Sequence, residues 1–352
     1  MTTAEPIRVS ILGCGRIGSE WDQRTDTNSF PLTHARAYSE HPRTRLVALC
    51  DRDEARVRSA AQFWRVAHVY TDPRQMFSEE EIDIAVIALP SYVRWSAIEP
   101  ALCAGVKVLV IEKPLAATVE ESHRIAAAVS TSSTLALVNY SRNWDPSMRE
   151  LKDQITAGVM GKVQRVFAAY GKGIGNNGSH LIDLVGFLLG ARPVRARALD
   201  SPLDAGEASW SSNDDLTFDA QVEFTDAIGT RINLTLLGTD HRAFTCFELR
   251  IIGERAIFQM EMGGRRLNWS AIQPDPNFGG YMVPAPPIVL ESHYLESMQE
   301  LANEAVRLAA AEITRASCDV NTALRTALAV EAIKCSAKRG GEWTKLNCLK
   351  NP

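Results

Sequence analysis

The sequence predicts an α/β fold with two domains: a doubly wound parallel sheet, then a domain built on a different sheet. Over the first third of the chain, short continuous apolar runs alternate with helical patterns, which is typical of a parallel sheet buried on both faces. From about residue 150, strand patterns follow one another without helices between them, which indicates an antiparallel or mixed sheet. The length of 352 residues suits about two domains. We expect them to span residues 1–130 and 131–352.

Five strands are expected before residue 150, each an apolar run between turn or helix signals. They are predicted at residues 7–13, 45–51, 82–90, 106–114 and 134–140. The segments 53–64, 94–105 and 121–130 have helical patterns. Strands separated by helices at this spacing form βαβ units, so we expect one parallel sheet.

Alternating strand patterns dominate the second domain after an initial helical segment. The first is VQRVFAAYG (163–171), and the others are LTFDAQVEF, TRINLTLLG, TCFELRIIG, RAIFQMEM and RRLNWSA. The end of the chain is helical, and we expect the helix at about 321–338 to pack back on the first domain.

Composition excludes several classes of function. The net charge is −4, and no basic stripe carries interleaved aromatic residues, so we expect no nucleic-acid partner. No apolar run reaches the roughly 18 residues of a membrane span, and the amino terminus lacks a signal-peptide pattern. The seven cysteines are scattered without a CxxC pair, as in a reducing compartment. We expect a cytoplasmic protein without a membrane partner.

The hexapeptide GCGRIG follows the first predicted strand and opens a helix. Its glycines are Gly13, Gly15 and Gly18, which is the spacing of a dinucleotide-binding turn in the context that this turn needs. The first glycine permits the chain reversal, the second lets the backbone approach a pyrophosphate, and the third lets the helix pack on the strand.

An acidic residue, Asp51, ends the second predicted strand, where it would bind the adenine-ribose hydroxyls. It lies 33 residues after Gly18, whereas about 20 is usual. The excess matches an insertion at 20–33, before the predicted helix at 34–41. Because Asp51 would repel a 2′-phosphate, we expect NAD, and Arg52 leaves NADP as a second candidate. The alternative interpretation of Asp51 is an ordinary turn residue.

Glu112, Lys113 and Pro114 end the fourth predicted strand, at the edge of the sheet where ligands bind. A lysine partly desolvated near a nicotinamide cation would have a lowered pKa, which suits proton transfer. A solvated turn lysine is the alternative.

His180 lies between a glycine-asparagine loop and an apolar helix in GKGIGNNGSHLIDLVGFLLG, residues 171–190. Ser179 is a predicted N-cap, and the spacing of His180 and Asp183 places both on one helix face. Asp183 would orient the imidazole, whereas the helix N-terminus favours its neutral form. A capping or core histidine is the alternative. A single HxxD without further histidines predicts no metal site.

Other polar residues extend the candidate site. Tyr140, Arg142 and Asn143 follow the fifth strand, and Lys172 precedes the glycine-asparagine loop. Arg142 and Lys172 suit a phosphate, diphosphate or carboxylate group, with ordinary surface charge as the alternative. Trp144 is a stacking candidate for a sugar ring or a core residue.

These motifs together resemble one family. GCGRIG, Asp51, the EKP triplet and the HxxD of NNGSHLID occur in the order found in the Gfo/Idh/MocA oxidoreductases, and residues 138–166 look like that family's inter-domain segment. The resemblance implies a Rossmann domain, then an α/β domain whose large, mostly antiparallel open sheet often forms a homodimer or homotetramer interface. It also implies NAD(P)-dependent oxidation or reduction at a ring secondary alcohol, with Lys113 and His180 as acid and base.

The motifs and the resemblance define two predicted sets of site residues. The cofactor set is Gly13, Cys14, Gly15, Arg16, Ile17, Asp51, Arg52, Leu89, Pro90, Ser91, Glu112 and Lys113. The substrate set is Lys113, Tyr140, Arg142, Asn143, Lys172, Asn176, Asn177, His180 and Asp183.

Three departures from the family pattern stand out. Asn176 occupies a position where the family often has aspartate, which favours a polyol-binding loop over a carboxylate–histidine pair. Ser91, Arg94 and Trp95 follow the third strand where the family often has Asn and His, and the insertion at 20–33 is the third departure.

The predicted substrate is a sugar, amino sugar, sugar nucleotide or cyclitol. Two alternatives remain open at this point: an NAD-dependent enzyme that cleaves glycosidic bonds, and a non-catalytic regulator that senses a sugar or NAD.

Overall fold

The computed structural model describes residues 5–24, 30–200 and 215–349. By its internal contacts the chain divides into two units. The first unit comprises Met1–Asp145 and Leu295–Leu324, and the second comprises Pro146–Tyr294 and Arg325–Pro352. This division differs from the expected boundary after residue 130, because the last strand of the first sheet, Leu135–Asn139, and the segment after it belong to the first unit.

Helices are present in both units. They are α1 (Trp21–Arg24), α2 (His34–Glu40), α3 (Glu54–Trp64), α4 (Pro73–Glu79), α5 (Trp95–Cys103), α6 (Val119–Ser130), α7 (Pro146–Thr156), α8 (Ser179–Leu189), α9 (Ser297–Ala309) and α10 (Val320–Ala337). Several of them begin at a side-chain cap, since Thr33, Asp53, Asp72, Thr118 and Asp319 each accept a hydrogen bond from a first-turn amide. None of the described helices is long and apolar enough to cross a membrane.

Six parallel strands form the sheet of the first unit, within the described residues. They are β1 (Ile7–Leu12), β2 (Thr44–Cys50), β3 (His68–Tyr70), β4 (Ile84–Ile87), β5 (Val108–Glu112) and β6 (Leu135–Asn139), in the order β3-β2-β1-β4-β5-β6. Five match the predicted strands, and β4 and β5 are buried throughout. β3 was not predicted, because this strand has only three residues, none of them fully buried, and therefore forms no apolar run. The doubly wound parallel sheet is confirmed.

A larger sheet forms the second unit. Its strands are β7 (Val163–Tyr170), β8 (Arg192–Ala198), β9 (Ala220–Thr225), β10 (Arg231–Gly238), β11 (Phe247–Gly253), β12 (Ala256–Glu261), β13 (Arg266–Pro274), β14 (Met282–Pro284), β15 (Ile288–Leu290) and β16 (Thr344–Lys345). The order is β14-β13-β12-β11-β7-β10-β9-β8-β16, with β15 also paired to β13. Among the described pairs β7–β10 is parallel and the rest are antiparallel, which confirms the mostly antiparallel sheet.

The helical segment after β6 remains part of the first unit. Its residue Trp144 is fully buried, and the indole N–H donates to the buried carboxylate of Glu304 on α9 over 3.0 Å. Trp144 is therefore a core residue, and the sugar-stacking alternative for it is wrong.

At the amino-terminal edge of the parallel sheet, one buried carboxylate joins three strands. Asp83 precedes β4 and accepts hydrogen bonds from the backbone N–H and Nε of Arg8 on β1, at 2.9 and 3.0 Å. The Lys107 ammonium, just before β5, lies 2.9 Å from the same carboxylate. Although burial opposes ionisation, the hydrogen bonds from Arg8 and Lys107 hold the pKa of Asp83 well below its usual range.

We predict that Asp83→Asn lowers the free energy of unfolding by about 1–3 kcal/mol at pH 7. Because the folded-state pKa is depressed, Asp83 stabilises the protein above its unfolded pKa of about 3.9, and this contribution is lost as the pH falls below that value. Urea unfolding of wild type and variant at pH 7, 5 and 3 should therefore show a difference that shrinks towards pH 3.

Glu81 provides the matched control, since it also pairs with Arg8 but its side chain is 85% exposed. Glu81→Gln should change stability by less than about 1 kcal/mol at each pH. An Asp83→Asn difference as large at pH 3 as at pH 7 would contradict the assignment.

Candidate functional site

Three glycines shape the turn after β1 in two different ways. Gly13 has a φ of +98°, and a Cβ there would lie 2.5 Å from the carbonyl oxygen of Ala88. A Cβ on Gly18 would lie 1.9 Å from the carbonyl oxygen of Gly13. No neighbouring atom lies within 4 Å of a Cβ built on Gly15. Gly13 and Gly18 thus allow close packing of the protein on itself, whereas Gly15 leaves open the space that a dinucleotide backbone requires.

The segment after this turn is not the regular helix that the pattern predicts. A π-helical turn spans Arg16–Glu20, and the four-residue α1 continues it. Arg16 is exposed and Ile17 is half-buried. The turn nevertheless joins a parallel strand to a helical segment, which is the context of the dinucleotide fingerprint.

Asp51 lies directly after β2, as predicted, and is buried. Its Oδ2 accepts the backbone N–H of Cys14 over 2.8 Å, and its Oδ1 accepts that of Asp53 over 2.9 Å. Arg56 lies 3.4 Å from the same Oδ1, and Arg52 is exposed. The carboxylate therefore holds the glycine turn itself, a function that the sequence pattern did not predict.

Asp22 joins the two described ends of the predicted insertion. Its Oδ2 accepts hydrogen bonds from the backbone N–H of Leu32 and from the N–H and hydroxyl of Thr33, at 2.9, 2.8 and 2.7 Å. Residues 25–29 of the insertion lie outside the described residues. Asp22 thus binds the two residues that immediately precede α2, whose first residue is His34.

Glu112, at the end of β5, carries a buried carboxylate with two side-chain donors. Nε2 of His34 lies 2.8 Å from Oε1, and the amide of Asn139 donates to the same oxygen over 2.6 Å. Burial raises the pKa of Glu112, but the hydrogen bonds from His34 and Asn139 and the charge of Arg94 outweigh it and lower the pKa. Glu112 is therefore an anion, and the half-buried Lys113 follows it directly.

Arg94 contacts the backbone of the EKP triplet. Its guanidinium donates to the carbonyl oxygen of Leu89 over 2.8 Å and to that of Lys113 over 3.2 Å, and it also donates to those of Glu112 and Pro114. Burial lowers the pKa of Arg94 to about 10, so it is protonated at neutral pH. Arg94, one of the departures from the family pattern, thus binds the backbone at the strand end that carries Lys113.

The remaining predicted residues of the first unit follow β4 and β6. Leu89 and Ser91 are half-buried and Pro90 is exposed, in the loop after β4. Tyr140, Arg142 and Asn143 form part of a buried turn after β6, and the amide of Asn143 donates to the carbonyl of Tyr140 over 3.2 Å. The carboxyl ends of β1, β2, β4, β5 and β6 thus bring the whole predicted cofactor set to one edge of the sheet.

In the second unit, the glycine-asparagine loop is itself helical. A π-helical turn spans Gly173–Gly178 and runs directly into α8, after Lys172 in a left-handed conformation with φ of 70°. Ser179 is therefore not an N-cap, and that prediction is wrong. Its hydroxyl donates to the carbonyl oxygen of Gly175 over 2.7 Å.

The amino-terminal end of this helical segment is capped by a distant carboxylate. Asp215 accepts the backbone N–H groups of Gly175 and Asn176, at 2.7 and 2.8 Å, and the Thr217 hydroxyl accepts that of Gly173 at 3.0 Å. Sequence reasoning missed Asp215, because some forty residues separate it from the loop. It supplies a carboxylate to the loop in which Asn176 replaces the aspartate of the family pattern.

His180 and Asp183 lie on one face of α8, as predicted. His180 is half-buried, with its ring centroid 6.3 Å from that of Phe247 in an edge-on arrangement, and Asp183 is buried. Asn176 and Asn177 are half-buried in the preceding turn. The second unit thus presents amide, imidazole and carboxylate groups within one loop and helix. In the described part of the chain, no group of three or more His, Cys, Asp or Glu residues could hold a metal ion.

A protein-family model matches the first part of the chain. Residues 7–140 match the GFO_IDH_MocA family model, described as an oxidoreductase family with an NAD-binding Rossmann fold. These residues, somewhat more than a third of the chain, are thus similar to the Gfo/Idh/MocA oxidoreductases. This region contains the glycine turn, Asp51 and the EKP triplet, so the NAD-binding domain is confirmed.

Two curated relatives of this chain have named activities. D-apiose dehydrogenase of Paraburkholderia graminis is 27% identical over 160 residues, which cover 46% of this chain and 39% of the relative. Inositol 2-dehydrogenase 2 of Saccharopolyspora erythraea is 28% identical over 204 residues, covering 54% of this chain and 56% of the relative. The chain spans about half or less of the length of the curated relatives it matches.

A solved structure extends the similarity of fold over the whole chain. The inositol dehydrogenase homolog of Azotobacter vinelandii, complexed with NADH and myo-inositol, superposes with a TM-score of 0.74 at 20% identity. The match covers 97% of this chain and 98% of that protein. At this identity the likeness concerns the fold, and it includes both units.

We predict that Gly15→Ala and Gly18→Ala separate cofactor binding from stability. A Cβ at position 15 meets no protein atom, so Gly15→Ala should change stability by less than about 0.5 kcal/mol yet weaken NAD binding. A Cβ at position 18 overlaps the Gly13 carbonyl, so Gly18→Ala should cost about 1–3 kcal/mol. Thermal unfolding and NADH fluorescence titration measure the two effects, and unchanged NADH affinity in Gly15→Ala would contradict this role.

Proposed function

We propose that the protein is an NAD-dependent oxidoreductase that acts on a ring secondary alcohol, or the corresponding ketone, of a sugar, amino sugar, sugar nucleotide or cyclitol. The observation that carries the proposal is the shared sheet edge, where the open Gly15 turn, Asp51 and Lys113 follow β1, β2 and β5. The named relatives act, by their names, on D-apiose and inositol, which supports a polyol substrate.

We assign proton transfer at the substrate oxygen to Lys113 and His180. When bound, NAD would supply the acceptor for the hydride of the alcohol C–H, and a protein base would take up the hydroxyl proton. Lys113 and His180 are both half-buried, so each combines solvent contact with partial desolvation. Asn176, Asn177 and Asp183 would bind further substrate hydroxyls through hydrogen bonds.

Substrate recognition would extend to further polar residues of the predicted substrate set. We assign Tyr140, Arg142 and Asn143 of the first unit and Lys172 of the second to substrate binding. Arg142 and Lys172 would favour a substrate with a phosphate, diphosphate or carboxylate group.

The second sheet is the surface we assign to self-association, as a homodimer or homotetramer. Phe167 on β7 and Leu237 on β10 are 38% and 45% exposed on adjacent strands. Apolar side chains in such a position suit an isologous contact between two copies. The seven cysteines are free thiols, which is in keeping with a cytoplasmic setting.

We predict that Lys113→Ala and His180→Ala each reduce turnover by about 10²–10⁴-fold, because each removes a proton-transfer group. The experiment first screens NAD and NADP reduction with free sugars, amino sugars, cyclitols, sugar phosphates and nucleotide sugars. The variants are then assayed on the best substrate.

Lys162→Ala and His123→Ala are the matched controls, since neither residue belongs to the candidate site. Near-wild-type turnover in both Lys113→Ala and His180→Ala would overturn the assignment. Accumulation of NADH in proportion to oxidised substrate supports a dehydrogenase, whereas bond cleavage without net NADH would show a glycoside-cleaving enzyme.

We predict that Asp51→Ala weakens NADH binding more than NADPH binding. The variant loses the hydrogen bond that holds the backbone of Cys14, which weakens the binding of both dinucleotides. Only NADPH binding gains from the removal of a charge that repels the 2′-phosphate. Fluorescence titration of both dinucleotides measures the difference. Asp72→Ala, which removes a helix cap elsewhere in the same unit, is the control. Equal weakening would mean that Asp51 acts only by holding the glycine turn.

A further inference from the structure

His34 is the first residue of α2, and its side chain is fully buried. Its Nε2 lies 2.8 Å from a carboxylate oxygen of Glu112, although 78 residues separate the two. An ionised carboxylate is only an acceptor, so Nε2 must carry the hydrogen and act as donor. His34 is not among the predicted site residues, and the proton-transfer scheme above does not use it.

The residues around Lys113 are held by several separate contacts. His34 and Asn139 bind the side chain of Glu112, while Arg94 binds the carbonyl oxygens of Glu112, Lys113 and Pro114. Asn139 is the register partner of Glu112 on β6, and Arg94 directly precedes α5. Donors from three different elements thus converge on three consecutive residues.

A strand can end at a buried carboxylate with simpler partners than those of Glu112. The other buried carboxylate at this edge, Asp51, uses backbone N–H groups of its own and the neighbouring loop together with one arginine. Glu112 instead uses an imidazole and a carboxamide, both buried and both held by their own elements. Buried hydrogen bonds of this kind favour one conformation of the segment, because breaking them deprives the buried Glu112 carboxylate of its partners.

We propose that His34, with Asn139 and Arg94, is a positioning residue for Lys113. The contacts fix the backbone on both sides of Lys113, so that its amine is held in the position from which it exchanges a proton with substrate. The inference rests on the proposed function, because it assigns His34 a role in the reaction that Lys113 would carry out. A displacement of about 1 Å at a reacting group can cost around 10²-fold in rate.

The test compares His34→Leu with His34→Gln. Leucine removes the donor, whereas glutamine places an amide N–H near the position of Nε2 and keeps the hydrogen bond to Glu112. We expect His34→Leu to lower kcat by about 10–100-fold with little change in KM or in NADH affinity, and His34→Gln to recover most of this loss. His123→Leu, a substitution of a half-buried histidine on α6, is the matched control and should leave kcat unchanged.

All assays are made well below the unfolding midpoint of each variant. A purely structural role would lower the midpoint of His34→Leu without lowering kcat, and that result would overturn the proposal. Asn139→Ala removes the second donor to Glu112 and replaces His34→Leu if the latter does not fold. We expect it to lower kcat in the same way, and an unchanged kcat would again overturn the proposal.

A second readout does not depend on knowing the substrate. The acetylation rate of Lys113 by acetic anhydride is measured by mass spectrometry, relative to that of the exposed Lys107. His34→Leu should change this ratio by severalfold and His123→Leu should leave it unaltered; equal ratios in both would overturn the proposal. If Lys113→Ala keeps full turnover, the proton-transfer role proposed for Lys113 fails, whereas the acetylation ratio still decides whether His34 positions Lys113.

Discussion

A carboxylate buried at the end of an apolar strand must be hydrogen-bonded, and at Glu112 this requirement organises the edge of the first sheet. β5 is buried along its whole length, so Glu112 cannot obtain its partners from solvent. It obtains them from α2 and β6, and Arg94 from the start of α5 binds the adjoining carbonyl groups. The positions of α2, β6 and Arg94 are therefore linked, through their contacts with Glu112, to the backbone that carries Lys113.

The parts of the first unit that could be predicted are those with local periodicity or fixed spacing. Strands β4 and β5 are continuous apolar runs, and the glycines of GCGRIG mark a turn whose steric demands are met within a few residues. His34 and Arg94 could not be placed in this way. Their partners lie 78 and 18 residues away, and such pairings depend on how the helices cover the sheet.

In the second unit, too, local patterns predicted most strands but not the contacts between distant residues. The pattern of six of its strands was evident, whereas β8, RPVRARA, was not predicted, because only valine and small alanines alternate with its arginines. Ser179 looked like an N-cap because serine often precedes an apolar helix. The helical segment in fact begins upstream, where Asp215 accepts its first free N–H groups. The roles of Lys113 and His180 remain predictions, supported by their places at the strand end and in the helix.

The return of α9 to the first unit has a consequence for synthesis of the protein on the ribosome. The backbone N–H of Val138 on β6 donates to the carbonyl of Cys318, and Leu301 and Val306 enter the apolar core that β6 and Trp144 share. At roughly 5–20 residues per second, translation needs about 10–40 s to proceed from residue 145 to residue 324. Throughout that interval the nascent first unit exposes the apolar surface that α9 later covers. The dinucleotide-binding unit, although first to emerge, is therefore completed only after most of the second unit has been made.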